Sequence, residues 1–391
     1  MRHRSSCLTA LVAACSTASS VLELVPTLPC VWAALVCMPA VAMAQGPGGT
    51  GASSSMFSNL ANPAIGMNAL FTGQAAHNLD QAYGLGFDEA EISLISVVDP
   101  YWTFSSNVVF LPDRSVDPEE VWARSTSIPS VQLELGKLRG TFGKHGQLHT
   151  HAFPFIQAPI VMSNTIGEEG FKDAGIEAAW LTPLPWYGEL TGGLYRAVAA
   201  DDDHPLDLGS TRHDNVPFLG HLKNQFDLGA ATTLELGQSI LQGRGADGIR
   251  RDAYGADVTF RNVPPRDSNR HGWILQGEYI QKDSSPDGNA VREQDGGYAS
   301  FQYRLSQVWW MGIRGEQARR SHTDFMVDAA GAEVPGKVTR GSVNVAWAPS
   351  EFSFVRLEYS HAKAGAGIHP TDDRLLLQLS YTIGFHPAHA Y

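Results

Sequence analysis

Apolar and polar residues alternate with a period of two along most of the chain after residue 61. This spacing predicts β-strands, because successive side chains of a strand point to opposite faces. In the last segment the apolar positions are Leu375, Leu377, Leu379, Tyr381, Ile383 and Phe385. Sixteen such segments are centred near residues 69, 93, 106, 122, 134, 177, 193, 222, 236, 257, 277, 301, 313, 343, 357 and 379. The sequence therefore predicts an all-β fold.

The connections between these segments alternate between short and long. The short ones lie near residues 99–100, 128–130, 182–185, 229–230, 306–307 and 348–350, with a somewhat longer one at 263–271. The long ones are polar and lie at 78–86, 112–118, 143–172, 200–215, 243–252, 283–295, 320–336 and 363–373. Short turns at one end and long loops at the other are typical of a transmembrane antiparallel β-barrel.

A soluble barrel is the main alternative, and the polar face argues against it. That face carries arginine and glutamate on strand after strand, so a soluble barrel of this size would enclose a wide lumen lined by Leu, Trp and Tyr that nothing fills. In a membrane, lipid covers the aromatic face instead. We predict a transmembrane antiparallel barrel of about 16 strands, with 14 or 18 left open. Its interfacial girdle would include Trp102, Trp273, Tyr279, Tyr303, Trp309, Trp347, Tyr359 and Tyr381.

The N-terminal 44 residues predict an export signal. Arg2 and Arg4 precede an apolar run over residues 30–44, which ends in the small-x-small pattern Ala42-Met43-Ala44. A lipoprotein signal ending at Cys15 is the alternative. We expect a signal peptide over 1–44, a flexible Gly/Ser-rich lead-in over 45–61 and a barrel over 62–391.

Cleavage after Ala44 would leave a mature chain with no cysteine, because the four cysteines all lie within residues 1–44. With 26 basic and 39 acidic residues, its formal charge would be −13. This acidity argues against a nucleic-acid partner, which needs a basic face. No stretch after residue 45 approaches the roughly 18 consecutive apolar residues of a membrane-spanning helix, so a helical membrane protein is excluded.

Three segments carry a family resemblance: residues 91–102, the run Asp-Pro-Glu-Glu-Val-Trp at 117–122, and Leu-Gly-Lys-Leu-Arg at 135–139. They resemble the first hairpins of proteobacterial outer-membrane porin-like barrels of the phosphate-selective type. The sequence Gly-Phe-Lys-Asp-Ala-Gly at 170–175 and the C-terminal tail extend the likeness over most of the mature chain. The resemblance implies passage of solutes across a Gram-negative outer membrane. Phosphate-selective porins rely on lysine clusters, whereas this chain mixes arginine and glutamate, so phosphate specificity is not expected.

The connection at 143–172 is far longer than an ordinary hairpin loop and contains an apolar run from Phe153 to Met162. Such a segment is a poor candidate for a loop in water. We expect it to fold into the barrel and narrow it. A cap on the barrel or a contact with a neighbouring subunit is the alternative.

Charged residues on the polar face are the candidate pore-lining groups. Arginines facing carboxylates across a lumen create a transverse field that filters ions and orients dipolar solutes. Alternatively, these charges simply pair with one another. The candidates are Glu89, Glu91, Glu134, Glu278, Arg304, Arg314, Glu316, Arg340, Arg356, Glu358 and Arg374.

Three histidines at the start of the long connection, His145, His149 and His151, form a candidate metal site. Imidazole binds zinc, copper and nickel, and acidic residues lie nearby in the next long loop at 201–207. His386 and His389 form a further pair. Solvated loop histidines are the competing interpretation. We expect no resident cofactor beyond a transient zinc or other divalent ion, since neither an HExxH motif nor paired CxxC motifs occur.

Together these features predict a passive, cation-leaning porin of the bacterial outer membrane for small hydrophilic solutes or ions. The alternatives are a metal-binding or metal-permeating barrel, and an adhesion or structural barrel that acts through its loops. No GxSxG motif or ordered Ser-His-Asp set occurs, so an enzyme is not expected. The implied partners are outer-membrane lipid, the solutes and the barrel-assembly machinery. A homotrimer is common among 16-stranded porins, and the sequence leaves it open.

Overall fold

A computed structural model describes residues 63–76, 84–197, 205–209, 215–265, 267 and 270–384. It shows one closed antiparallel barrel in which each strand pairs with its neighbours in sequence and β1 pairs with β16. The predicted all-β barrel of 16 strands is confirmed. The strands are β1 Ala64–Ala76, β2 Gly84–Val97, β3 Trp102–Phe110, β4 Val116–Ser125, β5 Val131–Arg139, β6 Lys172–Leu181, β7 Tyr187–Tyr195, β8 Phe218–Asp227, β9 Thr232–Arg244, β10 Arg250–Asn262, β11 Gly272–Ser285, β12 Val291–Arg304, β13 Trp309–Ser321, β14 Gly336–Ser350, β15 Ser353–Ala364 and β16 Thr371–Gly384.

The two faces of the wall differ as the alternation predicts. On β13 and β14 the apolar residues point outward, and Ile313 and Val343 are about half exposed, at 52% and 50%. The intervening Arg314, Glu316 and Ser342 are buried on the inner face. An apolar outer face around a polar lumen is the arrangement that a lipid environment requires.

Several connections are shorter than the sequence predicts, because the strands continue beyond the alternating segments. The last residue of β9, Arg244, pairs with the first residue of β10, Arg250. Of the loop expected at 243–252, only the five residues 245–249 therefore lie outside the strands. β11 and β12 likewise extend into the predicted loop at 283–295, where Arg292 pairs with Asp283 at 2.5 Å. Both faces are polar there, so the alternation disappears although the strand pairing does not.

The predicted signal peptide (1–44), lead-in (45–61), Phe385 and His386/His389 pair lie outside the described residues. Within the described part of the chain, no helix is long and apolar enough to cross a membrane.

Residues 140–171, here called the β5–β6 loop, contain two short 3-10 turns, His145–Gln147 and Thr150–Ala152, and one helix, α1, at Ile160–Thr165. Its side chains belong to the same buried clusters as apolar residues of the wall. Met162, for example, is fully buried in a cluster that includes Leu219 of β8 and Ile280 of β11. The loop therefore packs against the inner face of the wall.

An outward charge in the middle of a strand should destabilise the barrel. We expect Val343→Arg to lower the free energy of unfolding in lipid by about 2–4 kcal/mol, because it places a cation in hydrocarbon. Val343→Leu is the control and should change stability little. Urea unfolding in vesicles, followed by tryptophan fluorescence, measures both. Equal stability of the two variants would contradict the assignment of this face to lipid.

Candidate functional site

Carboxylates of the wall accept hydrogen bonds from the backbone of the β5–β6 loop. Glu358 accepts from the Ile156 N–H at 2.6 Å, and Glu316 accepts from the Ile160 N–H at 2.7 Å. Glu278 accepts from two consecutive N–H groups, those of residues 144 and 145, each at 3.2 Å. Strands β11, β13 and β15 each supply one of these acceptors.

Arginines of the same wall donate to carbonyl oxygens of the loop. Arg356 reaches the Phe153 carbonyl at 2.7 Å. Arg314 reaches the carbonyl of residue 157 at 2.8 Å, and Arg340 reaches that of residue 158 at 2.6 Å. The segment from residue 153 to the start of α1 at residue 160 thus has donors and acceptors of the wall along its length. Buried backbone groups require such partners, and charged partners give the stronger hydrogen bonds.

The wall charges also pair with each other beneath the loop. Glu316 lies 3.1 Å from Arg314 and 2.7 Å from Arg340. Glu358 is completely buried, and Arg314 and Arg356 are also buried. These predicted lumen residues are therefore on the inner face, but the loop covers them and they do not face open water.

The remaining predicted lumen residues form separate groups. Glu134 pairs with Arg124 at 2.7 Å, and Arg374 pairs with Asp372 at 2.5 Å. The Arg304 guanidinium lies 4.5 Å from the centre of the Trp310 ring. Two further predicted residues, Glu89 and Glu91, are buried on β2.

Gly143 allows the loop to reach Glu278. Its φ of +63° is a conformation that favours glycine, and a Cβ placed there would lie 1.8 Å from Glu278 Oε1. The N–H groups of the next two residues then point at the same carboxylate. Glu278 also accepts from the Tyr298 hydroxyl at 3.0 Å. The contact depends on the absence of a side chain at position 143.

His149 lies among three glutamates at the other side of the barrel. Its Nδ1 is 3.0 Å from Glu91 and 3.5 Å from Glu119, and its Nε2 is 3.2 Å from Glu120. Arg139 joins the group by pairing with Glu120 at 2.8 Å. Burial and Arg139 lower the pKa of His149, but hydrogen bonds to the glutamates outweigh them and hold that pKa well above its usual range. The charged imidazolium therefore attaches the loop to β2 and β4.

His145 does not join the other two predicted metal ligands. The rings of His149 and His151 stack 5.6 Å apart, whereas the ring of His145 packs 4.3 Å from that of Phe153. Burial and the positive charge of Arg314 lower the pKa of His145 to about 3. His145 is thus a neutral residue of the loop packing. Of the acidic partners expected at 201–207, only Asp207 is described, and it pairs with Arg251 at 3.0 Å.

Sequence reasoning missed Glu119 and Glu120, which are neighbours in one strand yet both reach His149. A bulge in β4 opposite β3, between the pairs Asn107↔Glu120 and Val109↔Asp117, brings both to the inner side. Arg139 was missed as well. Two adjacent acids in a predicted strand were the available signal, but a bulge cannot be located from alternation alone.

Apolar residues on the inner face were also missed. Leu219, Leu241, Ala253 and Ile280 occupy inner positions of β8–β11 and are completely buried against the loop cluster. The signal was present in β11, where Ile280 shares a face with Gln276 and Glu278. An apolar residue on an otherwise polar face marks where the loop packs.

Comparisons with known structures show which barrels this one resembles. An anion-selective porin from Comamonas acidovorans aligns with a TM-score of 0.57 at 10% identity, over 82% of this chain and 99% of that one. The trimer form of OmpT, an outer membrane protein of Vibrio cholerae, aligns with a TM-score of 0.53 at 9% identity, over 82% and 99% of the two chains. The chain has the porin fold. At these identities the likeness establishes the fold alone.

Sequence comparison finds one distant relative and no matching family. No family model matches the chain. An uncharacterized protein of Aquifex aeolicus (strain VF5) is 26% identical over 359 residues, which is 83% of this chain and 74% of that protein. The structural comparison confirms the expected porin-like barrel at the level of the fold.

Replacing Gly143 should release the start of the loop. We expect Gly143→Ala to make the loop susceptible to added protease, because the new Cβ clashes with the Glu278 carboxylate. Gly315→Ala is the matched control, since a Cβ there meets nothing within 4 Å. Digestion in detergent followed by mass spectrometry locates the cleavage. Equal resistance of both variants would contradict the role of this contact.

Acid should weaken the packing of the loop through His145. The buried imidazole takes up a proton near pH 3, whereas an exposed one does so near 6.5, so the unfolded state binds more protons between these values. Protonation of His145 should therefore lower the free energy of unfolding by up to about 1.4 kcal/mol for each pH unit that the pH falls through that window. We expect His145→Gln to show a smaller acid-induced drop in thermal stability than the unmodified protein. Identical pH profiles would contradict this assignment.

Proposed function

We propose that this protein is a passive porin of the bacterial outer membrane that passes small hydrophilic solutes or ions without energy coupling. The observation that carries the proposal is a closed 16-strand barrel with an apolar exterior and a polar interior. The porin fold of the structural relatives supports it.

The β5–β6 loop is the proposed constriction. It lies on the inner face, where Glu316, Glu358, Arg314, Arg340 and Arg356 bind its backbone. A loop held by so many charged groups is a fixed obstacle rather than a moving lid. Solutes would pass through the lumen that it leaves free.

Cation preference is the proposed selectivity. The formal charge of the full chain is −12 at pH 7. Near the loop, the carboxylate of Glu316 pairs with both Arg314 and Arg340 and offsets part of their positive charge. The excess of acidic charge elsewhere should then raise the local concentration of cations.

Conductance tests the proposal directly. Residues 45–391 refolded in detergent and inserted in a planar bilayer should give stepwise ohmic openings, with a cation-leaning reversal potential in a KCl gradient. Loosening the loop with Glu316→Gln/Glu358→Gln should raise the unitary conductance. Glu333→Gln/Glu351→Gln changes the net charge equally at exposed positions and should not. A folded barrel without openings would overturn the porin proposal.

We propose further that the protein assembles as a homotrimer, is inserted by the barrel-assembly machinery and has no enzyme activity. The trimer form of OmpT supports the first of these by analogy of fold. Native mass spectrometry of the protein in detergent should show three chains per particle, and a single chain would overturn the trimer.

A transient divalent-metal site is the second candidate function. The ligand atoms of Glu91, Glu119 and His149 lie within 4.8 Å of one another, and this donor set suits zinc. Arg139 opposes the site because its guanidinium lies 3.1 Å from His149 Nδ1, and zinc must also displace the proton of the imidazolium. Metal binding would therefore release a proton and compete with the existing ion pairs.

Zinc titration separates this candidate from simple ion pairing. If the site binds metal, calorimetry should detect zinc binding that Glu119→Gln or His149→Ala abolishes, and zinc should reduce the conductance. His271→Ala, which removes an exposed histidine at another position, should change neither. Absence of zinc binding to the unmodified barrel would overturn the metal site and leave the porin proposal intact.

A further inference from the structure

Basic side chains gather at one end of strands β13 and β14. A surface cavity of about 750 Å³ lies there. Its lining includes four lysine or arginine residues, Lys282, Arg319, Arg320 and Lys337, and one acid, Glu293, in a chain whose formal charge is −12. The cavity is therefore a local excess of positive charge on an acidic protein.

Arg319 and Arg320 are adjacent in β13, yet both side chains lie on the outer face of the barrel. Arg319 follows the outward positions of Met311 and Ile313 at intervals of two. A register shift between residues 318 and 321, with Arg320 at a φ of +54°, breaks the alternation that would turn Arg320 inward. Both arginines consequently bind the carboxylate of Asp295, while more than half of each side chain stays exposed, at 57%.

Asp295 does not cancel the positive charge. One carboxylate is shared by two guanidinium groups, and it also accepts from the Tyr279 hydroxyl at 3.2 Å. The one lining acid, Glu293, is paired with Lys282 at 3.1 Å. Arg319, Arg320 and Lys337 thus keep exposed donors for an anion.

The position of the cluster indicates what kind of anion it meets. Lys337 is on the outward face of β14, in line with Val343 and Val345, and Lys363 of β15 is exposed on the outward face beside it. At the opposite ends of β13 and β14, the outward residues are Trp309 and Trp347, whose rings lie 6.5 Å apart. The same strands are thus aromatic at the short-turn end and basic at the long-loop end, where the outer leaflet would lie.

We propose that Arg319, Arg320 and Lys337 form a binding site for the phosphoryl groups of a glycolipid in the outer leaflet. Guanidinium groups bind phosphate oxygens through paired N–H donors, and the apolar wall below them would pack against the acyl chains. The inference rests on the proposed outer-membrane location. It does not depend on whether the lumen conducts ions.

Lipid binding tests the proposal. The protein in detergent is titrated with bisphosphorylated lipid A, with its dephosphorylated form and with inorganic phosphate, and binding is followed by native mass spectrometry. We expect Arg319→Gln/Arg320→Gln/Lys337→Gln to weaken binding of the bisphosphorylated lipid at least tenfold. The control Arg114→Gln/Arg250→Gln/Arg270→Gln removes three exposed charges elsewhere and should change it less than twofold.

The results of these titrations distinguish a glycolipid site from a site for a free anion. Equal affinity of the cavity variant and the unmodified protein would overturn the site, as would equal binding of the dephosphorylated lipid. Displacement of the lipid by millimolar inorganic phosphate would assign the cavity to a free anion instead. Heat-dependent gel mobility checks that both variants fold, and their conductance separates a failed lipid site from a failed porin.

Discussion

The structure depends on how the backbone of the β5–β6 loop is satisfied inside the barrel. Residues 153–159 belong to no helix or strand, and each buried N–H or carbonyl group without a partner costs free energy. Glutamates of the wall supply acceptors for its N–H groups, and arginines supply donors for its carbonyl groups. The wall charges are therefore a docking surface for the loop.

This interaction explains why so many charges are buried in a barrel interior. Arg314 and Glu316 are 96% and 95% buried, a costly arrangement unless each charge is paired and hydrogen-bonded. The Arg314 side chain meets Glu316, the carbonyl of residue 157 and the ring of Phe155, which lies 4.6 Å from it. Without the loop, these groups would be exposed to water. In the proposed porin, the position of the loop would therefore also set the width of the lumen.

Alternation in the sequence was sufficient to predict the strands, because lipid outside and polar groups inside impose opposite demands on successive residues. It also placed Arg356 and Glu358 on the inner face. It could not show that these residues bind a loop, since period-two patterning carries no information about contacts across the lumen. Glu119 and Glu120 escaped notice because a bulge changes which side a residue faces, and His145 separated from His149 because the turns between them are irregular.

A reversible cross-link tests most directly whether the loop is fixed to the wall. Gln157 and Ser360 meet at 3.1 Å between side-chain oxygens, and residues 45–391 contain no cysteine. A short bifunctional methanethiosulfonate, which spans the length lost with the glutamine side chain, should bridge the double variant Gln157→Cys/Ser360→Cys in high yield. The unitary conductance should be the same before and after reduction of this bridge. A bridge that fails to form, or a conductance that changes when the bridge is reduced, would contradict a loop held in place by the charged wall.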